Sequence, residues 1–345
     1  MRVCITGMAG FLGTHVADYF IKQGWEVCGI DNLTDYELKR TKFNVAKSRQ
    51  HNLEFLNKIG AELKVRDCRY LTTDELVILF GKIDFIIHCS AQPAMTVALE
   101  DPSYDADDNI MSIVNMLNIA KELQIPLVNC SSIHVYGNNI NNELAEANTR
   151  FVNNPPEFDE NLKILNGELT PLHVSKYATE LYTQSFAEMY NMKTATFRLT
   201  GMYGERQFGG MDHGWVANFA IRTIMDKEII VFGTDKQVRD ILYASDAAAA
   251  FYYWFKEGCP VGTYNIGGGF DNSISLGECL FELKMLNNAM QAPIEIKPKR
   301  QGDLWYFVCD YKKAYKTFKW KPLVSPREGL RKITDWIKSN KELFL

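Results

Sequence analysis

Three glycines and one acid carry the first chemical signal in the chain. Gly7, Gly10 and Gly13 stand three residues apart, after a short apolar run at 2–6 and across the start of a helical pattern at Phe11-Leu12. Asp31 follows 18 residues beyond Gly13, at the end of a second apolar run, 26–30. In this context the first glycine allows a tight turn. The second lets the backbone approach a pyrophosphate, and the third lets the helix pack close to the strand. The helix start offers unpaired N–H groups and a positive dipole end to phosphate oxygens. A carboxylate at Asp31 accepts hydrogen bonds from an adenosine ribose diol and repels a 2′-phosphate. The order of features therefore predicts a site for NAD rather than NADP.

Further polar residues fall where apolar runs end. Asp67, beside Cys68, lies at the carboxyl end of a strand expected at 61–65 and could meet an adenine amino group. Phe85-Ile86-Ile87-His88-Cys89 is continuously apolar up to its end, as a buried parallel strand requires. It leads into Ser90-Ala91-Gln92, whose small residues let a cofactor ribose lie close. Arg206, Arg239 and Arg300 are candidates to grip a pyrophosphate in bidentate fashion. Trp215 and Trp305 are candidates to stack on a base or sugar.

These residues need a scaffold, and the pattern supplies one. Strands expected at 2–6, 26–30, 61–65, 85–89, 126–130 and 193–199 alternate with helices at 11–23, 36–59, 73–81, 105–123 and 171–190. Thr72 or Thr73 caps the third of these helices and Thr170-Pro171 opens the last. Such βαβ alternation predicts an α/β fold, a Rossmann-type doubly wound parallel sheet. The polar segment 138–169 reads as an irregular insertion over the sheet's mouth. After Thr200 the texture changes to a glycine-rich loop, short strands, and helices at 215–225, 244–256, 275–288 and 324–340. The expected division is a cofactor domain at 1–199, joined again by 236–266, and a smaller C-terminal α/β substrate lobe at 200–235 and 267–345.

Composition excludes several other classes. The chain has 345 residues, 46% apolar and 23% charged, with a formal net charge of −4. Without a basic block, this gives no support for a nucleic-acid surface; the mixed stretch 38–49 reads as a solvated face. None of the eight cysteines form a Cys-x-x-Cys pair, so all read as reduced and structural, with no metal site. The first strand begins at Arg2, which leaves no room for a signal peptide, and no apolar run approaches about 20 residues. A cytoplasmic protein without membrane contact is expected.

Taken in order, Gly7-x-x-Gly10-x-x-Gly13, Asp31-Asn32, Asp67, His88-Cys89-Ser90-Ala91-Gln92, Asn109, Ser131-Ser132-x-x-Val135-Tyr136-Gly137, Ser175-Lys176 and Tyr264-Asn265-Ile266-Gly267 resemble the extended short-chain dehydrogenase/reductases of the NAD-dependent epimerase/dehydratase type. Within that family, Ala91-Gln92-Pro93-Ala94-Met95-Thr96, Arg206-Gln207-Phe208 and Lys236-Gln237-Val238-Arg239-Asp240 look most like the CDP-paratose (CDP-tyvelose) 2-epimerases. The resemblance implies a nucleoside-diphosphate sugar as substrate. It adds Asn109 and Lys176 to the cofactor set, and Gln92, Ser132, Thr200 and Gln207 to the substrate set beside the arginines. It also implies a homodimer formed through helices 105–123 and 172–190. In the Arg300 loop, a further arginine implied by the family is replaced by Trp305.

Hydride removal from a sugar alcohol needs a base for the hydroxyl proton, a cation beside it, and a hydroxyl to steady the developing charge. The family supplies these as Tyr-x-x-x-Lys on one helical face and a Ser or Thr. Ser132 and Lys176 match the hydroxyl and the cation, but Leu172 occupies the tyrosine position. His173, His134, Tyr203 or Lys176 could take the proton instead, although one helical step turns His173 about 100° from residue 172. Three readings stay open. One is an epimerase with a rerouted proton path. Another is a related redox enzyme, dehydrogenase, reductase or dehydratase, acting on a different substrate. The third is a protein that binds NAD without turnover.

Overall fold

The computed structural model describes residues 1–41, 43, 45–287 and 292–345. Parts of two expected helices, at 42 and 44 and at Asn288, lie outside the described residues.

Seven parallel strands form the central sheet. Their spatial order is Gly262–Ile266, Thr194–Leu199, Leu127–Ser132, Phe85–His88, Arg2–Thr6, Glu26–Asp31, Glu62–Val65. The first strand of the chain is thus central, and the winding reverses beside it. A crevice opens at the carboxyl ends of strands at such a switch point. Side chains alternate across the sheet: Val3, Ile5, Phe85 and Ile87 enter one core, while Cys4 and Ile86 enter the opposite one. Both faces of the inner strands are covered, which is why these read as apolar runs without alternation, whereas the edge strand Glu62–Val65 alternates and is partly exposed. The first core lies under helices Phe11–Lys22 and Ala244–Lys256, and Phe20, Phe251 and Trp254 fill it. The second lies under Thr73–Phe80 and Ser112–Leu123.

Local signals explain most helix starts. Thr72 and Glu75 make a reciprocal capping box, and Pro171 occupies the first turn of Pro171–Tyr190. The expected stretch at 36–59 is two helices, Tyr36–Thr41 and Val45–Ile59. The expected helix at 105–123 starts earlier: Asp101 caps Pro102–Ala106, a π turn spans Asp107–Met111, and Ser112–Leu123 follows. A separate short helix, Met95–Glu100, precedes it.

The C-terminal lobe packs helices Trp215–Ile224, Leu276–Asn287 and Pro326–Ser339 around its own core. Strand Val238–Tyr243 pairs there with Ser273–Ser275, Tyr306–Phe307 and Gly201–Tyr203. Within 236–266, then, only the helix and the last strand join the central sheet layer. Segment 138–169 carries a two-residue hairpin, and Phe151 and Phe158 anchor it beside Leu304 and Phe307.

Candidate functional site

The glycine turn closes one end of the crevice. Gly7 has φ +65°, and a Cβ there would stand 2.9 Å from the Ser90 backbone. A Cβ on Gly13 would stand 2.3 Å from the Gly7 carbonyl oxygen, so helix and strand meet at a distance only glycine permits. Helix Phe11–Lys22 has no side-chain cap at Gly10, which leaves its first-turn N–H groups for a ligand. The Asp31 carboxylate accepts from Ala9 N at 2.9 Å and Leu33 N at 2.7 Å. Burial raises its pKa, and these bonds and Arg49 oppose the shift.

The crevice continues as one cavity of about 520 Å³ running from the glycine turn to the C-terminal lobe. Gly7, Gly10, Phe11, Leu12, Gly13, Asp31, Asn32, Cys89, Ser90 and Ala91 line its first end. Ser132, His134, Leu172 and Lys176 line its middle, and Thr200, Arg206, Gln207, Arg239 and Arg300 line the rest. All eight cysteines are free thiols.

Several expected site residues stand behind this wall instead. Gln92 and Asn109 are fully buried and committed to each other: Gln92 N donates to Asn109 Oδ1 at 3.0 Å, and Asn109 Nδ2 donates to Gln92 O at 3.1 Å. Both amides also donate to Asp105 Oδ1, at 2.7 and 3.0 Å, and Asn109 Nδ2 reaches Ser175 Oγ at 3.2 Å. The π turn makes this possible by placing Asn109 on the inner face. These side chains position the helix of Lys176 and do not contact the cavity. The Asp67 carboxylate is held by Arg69 and by Asn32 Nδ2 at 3.3 Å; it and Cys68 also stand off the cavity. Trp305 stacks on Phe151 at 5.5 Å, away from the cavity, whereas Trp215 lines it.

At the middle of the cavity, Leu172 is 1% exposed and stands one turn before Lys176, whose charge acts on Asp105, Asp108 and His88. His88 is pinned between Thr6 Oγ1 at 2.8 Å and Ser112 Oγ at 3.2 Å, and burial, with the charge of Lys176, pushes its pKa down to about 3. His173 is used in structure: its Nδ1 accepts from Thr170 N at 2.8 Å, completing the capping box of its helix. It lies outside the cavity wall. The backbone N–H of His134 donates to Ser132 Oγ at 3.2 Å.

The three arginines separate into two groups. Arg239 donates to Leu304 O and lies 3.6 Å from Asp303, and Arg300 donates to Met211 O at 2.5 Å and covers the Phe232 ring. Both belong to the C-terminal lobe. Arg206 turns toward the first helix, donating to Thr14 Oγ1 at 3.2 Å and to the His15 ring, with Phe55 beneath it. None of these partners is a carboxylate. Thr200 Oγ1 and Gln207 Oε1 are buried in the wall without a partner.

Sequence reasoning missed two contributors from Val45–Ile59. Ser48 Oγ and Asn52 Oδ1 are buried beside the glycine turn, line the cavity and have no partner among the described residues, while Asn52 Nδ2 donates to Ala9 O at 2.9 Å. Their polar surroundings resemble a solvated face, so nothing in the sequence marks them. Uncapped helix, uncommitted polar atoms and Asp31 together fit a dinucleotide.

Comparisons agree with this architecture. A family model described as the NAD dependent epimerase/dehydratase family matches residues 3–267. The CDP-paratose 2-epimerase of Salmonella typhi is 30% identical, with 98% of this chain and all of the relative aligned. The UDP-glucose 4-epimerase of Thermotoga maritima, solved with UDP-glucose, superposes with a TM-score of 0.80 at 26% identity, covering 99% of this chain and 100% of that one. That of Thermus thermophilus, solved with NAD, gives 0.79 at 25%, with 99% and 100% covered. The family match spans every residue of the crevice up to Gly267, and with a full-length relative at this identity the chain belongs to the NAD dependent epimerase/dehydratase family.

Proposed function

We propose that this protein is an NAD-dependent enzyme that epimerises a nucleoside-diphosphate sugar through a transient keto-sugar. The observation that carries the reading is one continuous cavity. It joins the glycine turn and Asp31 at one end, Ser132 and Lys176 in the middle, and Arg239 and Arg300 at the other. The glycine turn, Asp31, Ser48 and Asn52 hold the adenosine and pyrophosphate half of NAD, and Lys176 holds the nicotinamide ribose. The nicotinamide, when bound, accepts a hydride from the sugar carbon and returns it. Ser132 steadies the sugar oxygen, and Arg239 and Arg300 take the diphosphate. The similarity to the Salmonella relative supports epimerisation over net oxidation, reduction or dehydration.

The protein works as a cytoplasmic homodimer in this reading. Helix Pro171–Tyr190 packs beside Ser112–Leu123 and leaves Leu181, Tyr182 and Met189 exposed, a surface suited to a second copy. Among the described residues no helix is long and apolar enough to cross a membrane.

Leu172 favours a second reading, a protein that binds NAD and a sugar nucleotide without turnover. Mass spectrometry of the denatured protein identifies bound nicotinamide. Reduced-nicotinamide absorbance and sugar analysis are then followed with CDP-, GDP-, UDP- and dTDP-sugars. An altered sugar or a sugar-dependent absorbance change is expected. Bound cofactor with neither effect across the panel overturns epimerisation and leaves the binding protein.

A further inference from the structure

Leu172 lines the cavity where a proton must be exchanged, and its side chain carries no group that can do so. Two histidines lie nearby, their ring centroids 5.8 Å apart. His173 commits its Nδ1 to the helix cap and stands outside the cavity wall. His134 differs in both respects. It lines the cavity, two residues beyond Ser132 on the short 3₁₀ turn Ile133–Tyr136. Its backbone N–H holds the Ser132 hydroxyl at 3.2 Å, so the imidazole and that hydroxyl are carried by one rigid turn. Its Nδ1, like the Nε2 of His173, is buried with no partner among the described residues, but only His134 belongs to the cavity wall.

Resting on the epimerase reading above, we propose that His134 is the acid/base of the reaction, replacing the group absent at Leu172. Bound NAD would supply the oxidant, taking the hydride as the sugar C–H bond breaks. The hydroxyl proton passes to the unprotonated nitrogen of His134 as the C=O bond forms. Return of the hydride to the opposite face of the carbonyl carbon takes the same proton back from the imidazolium. Atoms and charge then balance over the cycle, and both NAD and His134 end as they began.

Burial, with the facing His173 and the Arg239 guanidinium acting in the same direction, holds the His134 pKa down to about 3, so the imidazole meets the sugar hydroxyl unprotonated.

The test uses the full-length protein with its identified nicotinamide and the sugar nucleotide that the wild type alters. His134→Ala is expected to bind NAD and sugar nucleotide as the wild type does. It loses sugar-dependent turnover by about 100-fold or more, and added free imidazole restores part of the rate. His134→Gln, which keeps bulk and polarity, loses turnover similarly. Wild-type turnover in both variants overturns the proposal and leaves epimerisation standing. Loss of sugar-nucleotide binding along with turnover also overturns it, because His134 is then structural. A wild type that alters no sugar and shows no redox change overturns the epimerase reading, and this inference falls with it.

Discussion

The Arg40 guanidinium donates to the Asp212 carboxylate at 2.8 Å, tying the short helix after Asp31 to the loop that leads into the C-terminal lobe. Thr96 Oγ1 donates to the same carboxylate at 2.6 Å, and Arg40 also pairs with Glu100 at 2.7 Å. Asp212 lines the cavity. Burial works against its charge, yet the bonds from Arg40 and Thr96 keep its pKa below the usual carboxylate value. These contacts tie the helix after Asp31 to a loop that lines the cavity, and they are expected to slow release of a dinucleotide bound there.

Arg40→Ala is therefore expected to speed dissociation of bound NAD by about 3- to 10-fold, the worth of a partly exposed pair of about 1 kcal/mol. Displacement of labelled NAD measures this. Equal rates in wild type and variant sink the latch.

A second network fixes Ser132 from behind. Arg198 pairs with Glu180 at 2.7 Å, both buried, and Ser131 Oγ donates to the same carboxylate at 2.6 Å. Arg198 Nη1 also donates to Tyr136 OH at 2.8 Å. The strand end before Ser132, the turn after it and the helix of Lys176 thus share one ion pair. Glu180→Gln leaves Arg198 buried without its counter-charge, a loss of about 3–5 kcal/mol. A melting temperature several degrees lower is expected by calorimetry, and an unchanged one excludes this role.

The sheet was legible because its inner strands are buried on both faces and end in short polar motifs, while the edge strand Glu62–Val65 is partly exposed and alternates. The Pro171–Tyr190 helix was legible from Thr170-Pro171. The same kind of signal, Asp101-Pro102, marks the true start of the preceding helical stretch, but the periodicity from residue 105 onward obscured it. The π turn has no sequence signature, so nothing in the sequence shows that the Asn109 amide, with that of Gln92, closes on Asp105. Ser48 and Asn52 were invisible because only tertiary packing separates a polar helix face turned to water from one turned to a cavity.

Helix Pro171–Tyr190 leaves Leu181 49% and Met189 69% exposed, on the helix that carries Lys176. Light scattering at micromolar concentration is expected to give twice the chain mass of 39.4 kDa. Leu181→Arg shifts it toward one. An exclusively monomeric wild type removes the dimer.

Acid sensitivity follows from the buried histidines. Burial depresses His88 and His134 to about 3 and His173 to about 4, while in the unfolded chain they titrate near 6.5. The native state resists protons that the unfolded state binds, so stability is full above about pH 6.5 and falls as pH drops toward the native values. Each unit of pH within that window costs up to about 1.4 kcal/mol per histidine. Urea midpoints between pH 7 and pH 4.5 are expected to fall steeply, and His88→Gln should make the slope shallower. A flat profile in the wild type refutes the assignment.

Leu172 offers a last test, because it occupies the cavity one helical turn before Lys176. A tyrosine there would place a phenol on the face that carries the lysine, where the lysine's charge favours the phenolate. The larger ring has to fit a site where the leucine is 1% exposed, an overpacking cost of about 1–3 kcal/mol. In the His134→Ala background, Leu172→Tyr is expected to recover sugar-dependent turnover at least about tenfold while lowering the melting temperature. Recovery shows that only a proton carrier was missing and that hydride geometry was intact. A variant that binds NAD and sugar nucleotide but recovers nothing shows instead that the sugar hydroxyl does not approach residue 172, and the reacting carbon must then be sought nearer the Ile133–Tyr136 turn.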